Sequence, residues 1–311
     1  MIAFVFPGQG SQKVGMGRAL ADAYPAARQV FDEADEALGE SLSTLCWEGP
    51  DEMLTLTENT QPAILTASIA AYRALESEGL AEGASFMAGH SLGEYSAHVA
   101  AGTFSFADAV RTVRRRGRYM QEAVPVGTGA MSAILGLDAD KVTQACAEAA
   151  NGEVVAPANL NGGGQVVIAG AKAAVERAGA RAKELGAKRV IPLSVSAPFH
   201  CALMKPAEDR LAPDLRALHV VNPRVPVVAN VDAEPKRDGA AAIDALIRQV
   251  SSAVRWEALV RRLASEGVTA YVEVGSGSVL SGLIRKIHRD ASVANVGAPD
   301  DISGARALLS R

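Results

Sequence analysis

Aromatic side chains are scarce in this chain, at 5% of 311 residues, too few for the stacking platforms that hold single-stranded nucleic acids. Nor is there a surplus of one charge. Lys and Arg number 31 against 35 Asp and Glu, a formal net charge of −4, whereas a general nucleic-acid binder carries a basic excess. The three cysteines, Cys46, Cys146 and Cys201, are odd in number and far apart. Their spacing fits neither a disulfide framework nor a zinc pattern, so a reducing cytosol is expected. Long apolar runs are missing too. Ile2 to Phe6 is far too short to span a membrane or serve as a signal peptide, and no basic residue precedes it. What is present, 49% hydrophobic and 21% charged residues, suits a buried core rather than disorder. The length fits two domains, or one large domain with an insertion.

Ile2 to Phe6 reads as a buried strand ended by Pro7-Gly8. Alanine-rich helical stretches follow at about Gly17 to Glu40 and Thr60 to Glu78. A short strand, Ser85 to Ala88, then leads into Gly89-His90-Ser91-Leu92-Gly93, and a helix runs on to Ala101. Strands alternating with helices predict an α/β fold with a mostly parallel sheet. The middle of the chain has a different rhythm. Strands are expected at Ala130 to Leu135, Val154 to Pro157, Gln165 to Ala169 and Lys188 to Val195, with helices at Ala139 to Ala150 and Ala171 to Leu185, and Asn159 to Gly164 as a loop. That order, βαββαβ, is ferredoxin-like. It places an insert domain at residues 126–195, with 1–125 and 196–311 forming one discontinuous α/β domain. Later strands are expected at Val225 to Ala229 and Ala270 to Val274.

Gly89-His90-Ser91-Leu92-Gly93 matches G-x-S-x-G between a strand and a helix, the context of a nucleophile elbow. There a serine is presented at a strand end, with the next N–H and the helix N-terminus facing a developing oxyanion. The alternative is a serine that merely caps a helix. A serine nucleophile needs a base. Among the histidines, His90 adjoins the serine and should point elsewhere, His98 lies two turns down the helix, and His219 and His288 read as surface residues. His200 follows a strand in the loop Ser196-Ala197-Pro198-Phe199-His200-Cys201, where it is either a base or a packed loop residue. Cys201 beside it reads as packing.

Ser105-x-x-Asp108 resembles a capping box that opens an arginine-rich helix. At 100° per residue Arg111, Arg114, Arg115 and Arg118 share a solvated side, while Arg116 falls in the apolar stripe with Ala109, Val113 and Met120. A buried guanidinium needs an anion or several acceptors. It is either a structural ion pair or a fork for a substrate carboxylate. Gly8-Gln9-Gly10 after the first strand lacks the third glycine of a dinucleotide fingerprint. Gln9 either projects donors at a strand's C-terminal end, where such sheets bind ligands, or belongs to a plain glycine-rich loop.

Several segments then fall into a known order: Phe4-Val5-Phe6-Pro7-Gly8-Gln9-Gly10-Ser11-Gln12, Gly89-His90-Ser91-Leu92-Gly93-Glu94-Tyr95, Arg116-Gly117 with Met120-Gln121, Asn159-Leu160-Asn161 with Gln165 to Gly170, Phe199 to Met204, Gln249, and Glu273-Val274-Gly275. Along nearly its whole length the chain resembles the malonyl-CoA:acyl carrier protein transacylases of fatty-acid synthesis. The resemblance implies a hydrolase-like large domain with a ferredoxin-like insert, and a Ser–His dyad. It makes Ser91 the acylated nucleophile, His200 its base and Arg116 the holder of the malonyl carboxylate. The N–H groups of Gln9 and Leu92 become the oxyanion hole, and the Gln249 carbonyl orients His200. Met120 and Asn161 become substrate neighbours. Ser276 departs from the proline usual after Glu-Val-Gly.

The resemblance further implies two partners, malonyl-CoA and an acidic acyl carrier protein. Lys183, Lys188, Arg189, Arg285, Lys286 and Arg289 are candidates to meet the latter. No metal, cofactor, nucleic acid or membrane partner is expected, and the protein should be a cytoplasmic monomer. Two rival readings are weaker. An α/β-hydrolase esterase orders its triad Ser, acid, His with a late histidine, and an in-stripe arginine has no purpose there. A non-catalytic carrier-binding module has no need of Ser91 and His200.

Overall fold

The computed structural model describes residues 1–195 and 197–309. Ser196, first in the expected histidine loop, and the terminal Ser310 and Arg311 lie outside the described residues. Among the described residues ten strands form two sheets. In chain order they are β1 Ile2–Phe6, β2 Ala84–Gly89, β3 Gly129–Leu135, β4 Val155–Gly162, β5 Gln165–Ala171, β6 Arg189–Pro192, β7 Val227–Val228, β8 Pro235–Lys236, β9 Ala270–Val274 and β10 Ser292–Val296.

The larger sheet runs β10-β9-β1-β2-β7-β8 and is parallel except for the short β7–β8 pair. Its strands are apolar on both sides, as expected when helices cover both faces. Phe4 and Phe6 of β1, Met87 of β2 and Val272 and Val274 of β9 point to one layer. It is filled by the long helix Thr57–Ser77, with Ile64, Leu65 and Ile69 fully buried. Ala3, Val5, Phe86, Ala88 and Tyr271 alternate to the other layer, against Trp256, Leu259, Leu263, Leu280 and Ile284. The two-residue period of a strand thus builds both halves of the core.

The smaller sheet is antiparallel with order β4-β5-β3-β6 and lies entirely within residues 129–192. This is the ferredoxin-like order. Its Ile134, Val166 and Ile168 pack under the helices Ala139–Ala149 and Lys172–Glu184. Its alternate residues Met131, Ala133, Val167 and Ala169 join the core of the larger unit. The small sheet therefore presents one face to its own helices and the other to the crevice beside β1 and β2.

Several local expectations are corrected. The helical stretch expected at about Gly17 to Glu40 is divided into two helices, Arg18–Ala23 and Pro25–Leu38; Pro25 has no N–H to continue the first and suits the first turn of the second. Asn159 to Gly162 is not a loop. β4 continues through it and turns only at Gly163-Gly164, both at positive φ, a two-residue hairpin whose twist glycine accommodates. Asn159 also bridges to Val254, with Leu160 N–H donating to the Val254 carbonyl at 2.9 Å. β7 spans two residues of the five expected, β6 stops at Pro192, and β8 and β10 had no forecast. Arg114 is not on an open face: its side chain is 14% exposed and bonds Glu40 and Asn59. His288 is half-buried, 3.1 Å from the Tyr271 hydroxyl.

Candidate active site

β1 and β2 end side by side, Phe6 in register with Gly89. Beyond β2 the chain turns through His90, Ser91 and Leu92 into the helix Gly93–Ala100. Ser91 sits at φ 51°, a left-handed conformation costly for a residue with a Cβ. The flanking glycines are required by contact. A Cβ on Gly89 would lie 1.9 Å from the Gly93 carbonyl carbon, one on Gly93 2.0 Å from the Phe6 oxygen, and one on Gly8 2.3 Å from the His90 oxygen. Gly93→Ala is accordingly expected to cost about 1–3 kcal/mol, since the opposing atom is backbone and cannot rotate away. A thermal melt at the wild-type midpoint would show that the close approach is dispensable.

Ser91 Oγ lies 2.6 Å from His200 Nε2. On the other side of the ring, Nδ1 is 3.0 Å from the Gln249 carbonyl oxygen. A carbonyl only accepts, so Nδ1 carries the proton and Nε2 faces the serine as an acceptor. His200 is 4% exposed. Burial, then the nearby Arg116 cation, pushes its pKa down to about 3, which keeps the imidazole neutral. His98 is fully buried and its Nδ1 lies 3.0 Å from Thr103 Oγ1, whereas the histidine bonded to the serine is His200. Cys201 donates to the Pro198 carbonyl, and burial raises its pKa to about 11, as a packing residue requires.

Arg116 reaches the serine from the helix Phe106–Glu122, whose opening Ser105 cap accepts from Asp108 N–H at 3.1 Å. The guanidinium is 1% exposed and stands over the Tyr95 ring, 5.4 Å from its centroid. Nη1 donates to Gln61 Oε1 at 2.8 Å. Nη2 donates to Gln249 Oε1 at 2.9 Å and to Ser91 Oγ at 3.2 Å. Among the described residues no carboxylate forms an ion pair with it. The structural ion pair left open by the helical wheel is therefore not what holds Arg116. Neutral amide oxygens do, and they leave its charge without a directly paired anion next to the serine, the Glu94 carboxyl acting on it only at a distance.

These groups line a cavity of about 120 Å³ with Gln9, Gln61, His90, Met120, Met131, Asn159, Leu193, Val195 and Phe199. Among the described residues, no acceptor is bonded to the N–H of Gln9 or of Leu92; the first follows β1 and the second opens the helix after β2. Met120 is buried, its sulfur 3.7 Å from Gln61 Nε2. Asn161 is not in the cavity lining but holds His90, Oδ1 to Nε2 at 2.9 Å. His90 is among the lining residues, but its ring is held by Asn161 and stands 5.6 Å from the Trp256 ring rather than on the serine, as its adjacency to Ser91 led one to expect. Sequence reasoning missed Gln61, Glu94 and Asn230. Asn230 had a usable signal, since it follows β7 at the end of the sheet where ligands bind. Gln61 and Glu94 had none beyond being polar residues in apolar helices.

Residues 3–301 match the acyl transferase domain family. The chain belongs to that family. Among acyl transferases it is 53% identical to the malonyl CoA-acyl carrier protein transacylase of Escherichia coli (strain K12), over 98% of this chain and 99% of that protein. It is 51% identical to the Bacillus subtilis (strain 168) protein of the same name, over 97% and 95%. The solved acyl-carrier-protein S-malonyltransferase of Bartonella henselae superposes with a TM-score of 0.97 at 46% identity, covering 100% of this chain and 99% of that one. A further acyl transferase structure, with a TM-score of 0.95, 49% identity and 98% coverage of both chains, is a malonyl-transacylase in complex with its type II polyketide acyl-carrier protein. Among the described residues, no helix of this acyl transferase is long and apolar enough to cross a membrane.

Proposed function

We propose that the chain is a malonyl-CoA:acyl carrier protein S-malonyltransferase of fatty acid biosynthesis, working through a malonyl ester on Ser91. One observation carries this reading: Ser91 Oγ lies within hydrogen-bonding reach of both a neutral histidine and a guanidinium without a carboxylate partner. Ser91 Oγ attacks the thioester carbon while His200 Nε2 takes its proton. The oxyanion is received by the free N–H groups of Gln9 and Leu92. Collapse breaks the carbon–sulfur bond, and the proton on His200 passes to the departing coenzyme A sulfur. In the second half the carrier's phosphopantetheine thiol gives its proton to His200 as the sulfur attacks the ester carbon, and collapse then breaks the bond from that carbon to Ser91 Oγ, which takes the proton back from His200. The malonyl carboxylate, one methylene beyond the ester carbon, is within reach of the Arg116 fork. Met120 closes the wall beside that fork, and Asn161 steadies His90.

Peptide mapping after incubation with radiolabelled malonyl-CoA should put the label on Ser91, and Ser91→Ala should take up none. A malonyl group found on Cys201 instead would overturn the assignment.

The separate antiparallel sheet supports treating 126–195 as an insert in a catalytic unit made of 1–125 and 196–311. A cytoplasmic location is part of the proposal, supported by three buried free thiols. Carrier docking is assigned to the basic face around the Gly163-Gly164 hairpin. A Cβ on Gly136 would lie 2.6 Å from the Lys188 side chain, and one on Gly163 2.8 Å from that of Lys286, so two clusters distant in sequence meet there. Both lysines are exposed. The double variant Lys188→Glu, Lys286→Glu should lower kcat/KM for carrier protein about 10-fold at low salt, with a smaller change in Ser91 labelling by malonyl-CoA. An equal response of both half-reactions would place docking elsewhere.

A further inference from the structure

The strained turn at Ser91 is held by Gln249 together with two residues, Asn230 and Glu94, to which the transfer steps assign no part. Asn230 Oδ1 accepts the Ser91 N–H at 2.6 Å, and its Nδ2 donates to the Gly89 carbonyl at 2.7 Å. Gln249 Nε2 donates to the Ser91 carbonyl at 3.0 Å. Both backbone polar groups of Ser91 are thereby tied to side chains from distant segments. Those two residues are tied to each other by Glu94, whose Oε2 accepts from Asn230 N–H at 2.9 Å and Gln249 Nε2 at 2.7 Å. The ring Ser91–Asn230–Glu94–Gln249 is closed, and its last three members are fully buried. Gln249 alone also reaches His200, through its carbonyl, and Arg116, through Oε1.

We infer, resting on the transfer reading above, that Asn230 and Glu94 are positioning residues: Asn230 fixes the Ser91 turn, and Glu94 fixes the Gln249 amide that aims Arg116. A backbone conformation of this kind persists only where its surroundings over-determine it, and the ring supplies that constraint. Asn230 also occupies the Ser91 N–H, so the oxyanion is left to Gln9 and Leu92. Two acceptors decide which end of the Gln249 amide faces the guanidinium, Glu94 Oε2 at 2.7 Å and the Ser91 carbonyl at 3.0 Å, and without Glu94 the shorter of the two is lost. Among the described residues Glu94 Oε1 has no hydrogen-bond partner, and burial raises the carboxyl pKa to about 7. A proton can sit on Oε1 while Oε2 accepts both bonds, so acceptance at Oε2, rather than charge, is the working feature.

The test compares Asn230→Ala, Glu94→Ala and Glu94→Gln. Each is assayed for malonyl and acetyl transfer, with rates normalised to the fraction of Ser91 that takes label, so that unfolded protein does not count. Asn230→Ala should lower kcat about 10²-fold, as displacements near 1 Å do, with KM for malonyl-CoA and the malonyl-to-acetyl ratio little changed. Glu94→Ala should lower kcat and also reduce that ratio about 10-fold. Glu94→Gln, which keeps an acceptor oxygen, should restore both to within a few-fold of wild type. Normalised kcat within two-fold of wild type in Asn230→Ala, an unchanged ratio in Glu94→Ala, or failure of Glu94→Gln to restore it would each overturn the inference. Ser91→Ala runs alongside: if it still transfers malonate, the transfer reading itself falls, a result distinct from those three.

Discussion

Replacing His200 with alanine should lower kcat/KM for malonyl-CoA by about 10²–10⁴, the usual contribution of a positioned general base. Nε2 is 2.6 Å from Ser91 Oγ, and no other histidine of the described residues is bonded to that oxygen. The pH profile tests the same assignment. A base must be neutral to accept the serine proton. Burial and the Arg116 charge both disfavour the imidazolium, with the pKa pushed down to about 3. An ordinary histidine gains its proton as pH falls through about 6.5; His200 stays neutral through that point. The acid limb that His200 imposes on kcat/KM should therefore lie well below 6.5, and a limb centred at 6.5 would contradict the environment described here. His98→Ala is the control. It empties a buried position and should lower the melting temperature, yet leave kcat within a few-fold. Should His98→Ala do the greater damage to kcat, the wrong histidine has been assigned.

Arg116→Ala should depress malonyl transfer strongly and relax the exclusion of acetyl and other uncharged acyl groups. In the free protein the guanidinium donates to two amide oxygens and the serine hydroxyl, all neutral, and its Nε has no hydrogen-bond partner among the described residues. Malonate brings the charge that this arrangement lacks. Acetate brings none, and leaves a poorly solvated cation uncompensated. Leaving a buried charged group short of its partner costs at least about 1–3 kcal/mol, on the order of 10- to 100-fold in preference. Arg116→Lys should rescue only in part, because an ammonium cannot make the two-pronged contact with Gln61 and Gln249 while facing a carboxylate. Arg115→Ala, which removes an exposed partner of Asp214, should change acyl preference little. The decisive quantity is the malonyl-to-acetyl ratio of kcat/KM in each variant. An unchanged ratio in Arg116→Ala would mean that this arginine acts as a structural strut and that selectivity arises elsewhere.

Local pattern reached far into this molecule. Ile2 to Phe6 announced a strand buried on both faces, because both alternating sets are apolar. The wheel of the helix Phe106–Glu122 separated Arg116 from its neighbours, and Arg116 is the one that lies beside the serine. The G-x-S-x-G spacing carried its own steric reason, since a Cβ at either glycine collides with backbone. The failures were local as well. Asn159 to Gly164 looked like a loop because its composition is turn-like, whereas pairing with β5 and with Val254 draws the first four residues into a strand.

By itself the sequence determined which segments could be strands and helices, where the backbone had to turn tightly, and which charged side chain could not face water. Those properties depend on the side chain and its immediate neighbours, and period and spacing record them. Only the tertiary structure decided what meets what. Asn230 lies 139 residues from Ser91, Glu94 lies 136 from Asn230 and 155 from Gln249, and no periodicity extends over such distances. Whether Arg116 would find a carboxylate or two amides depended on sheet order and on the face the insert presents. Those follow from burial of the whole core, a sum over contacts that no single segment contains.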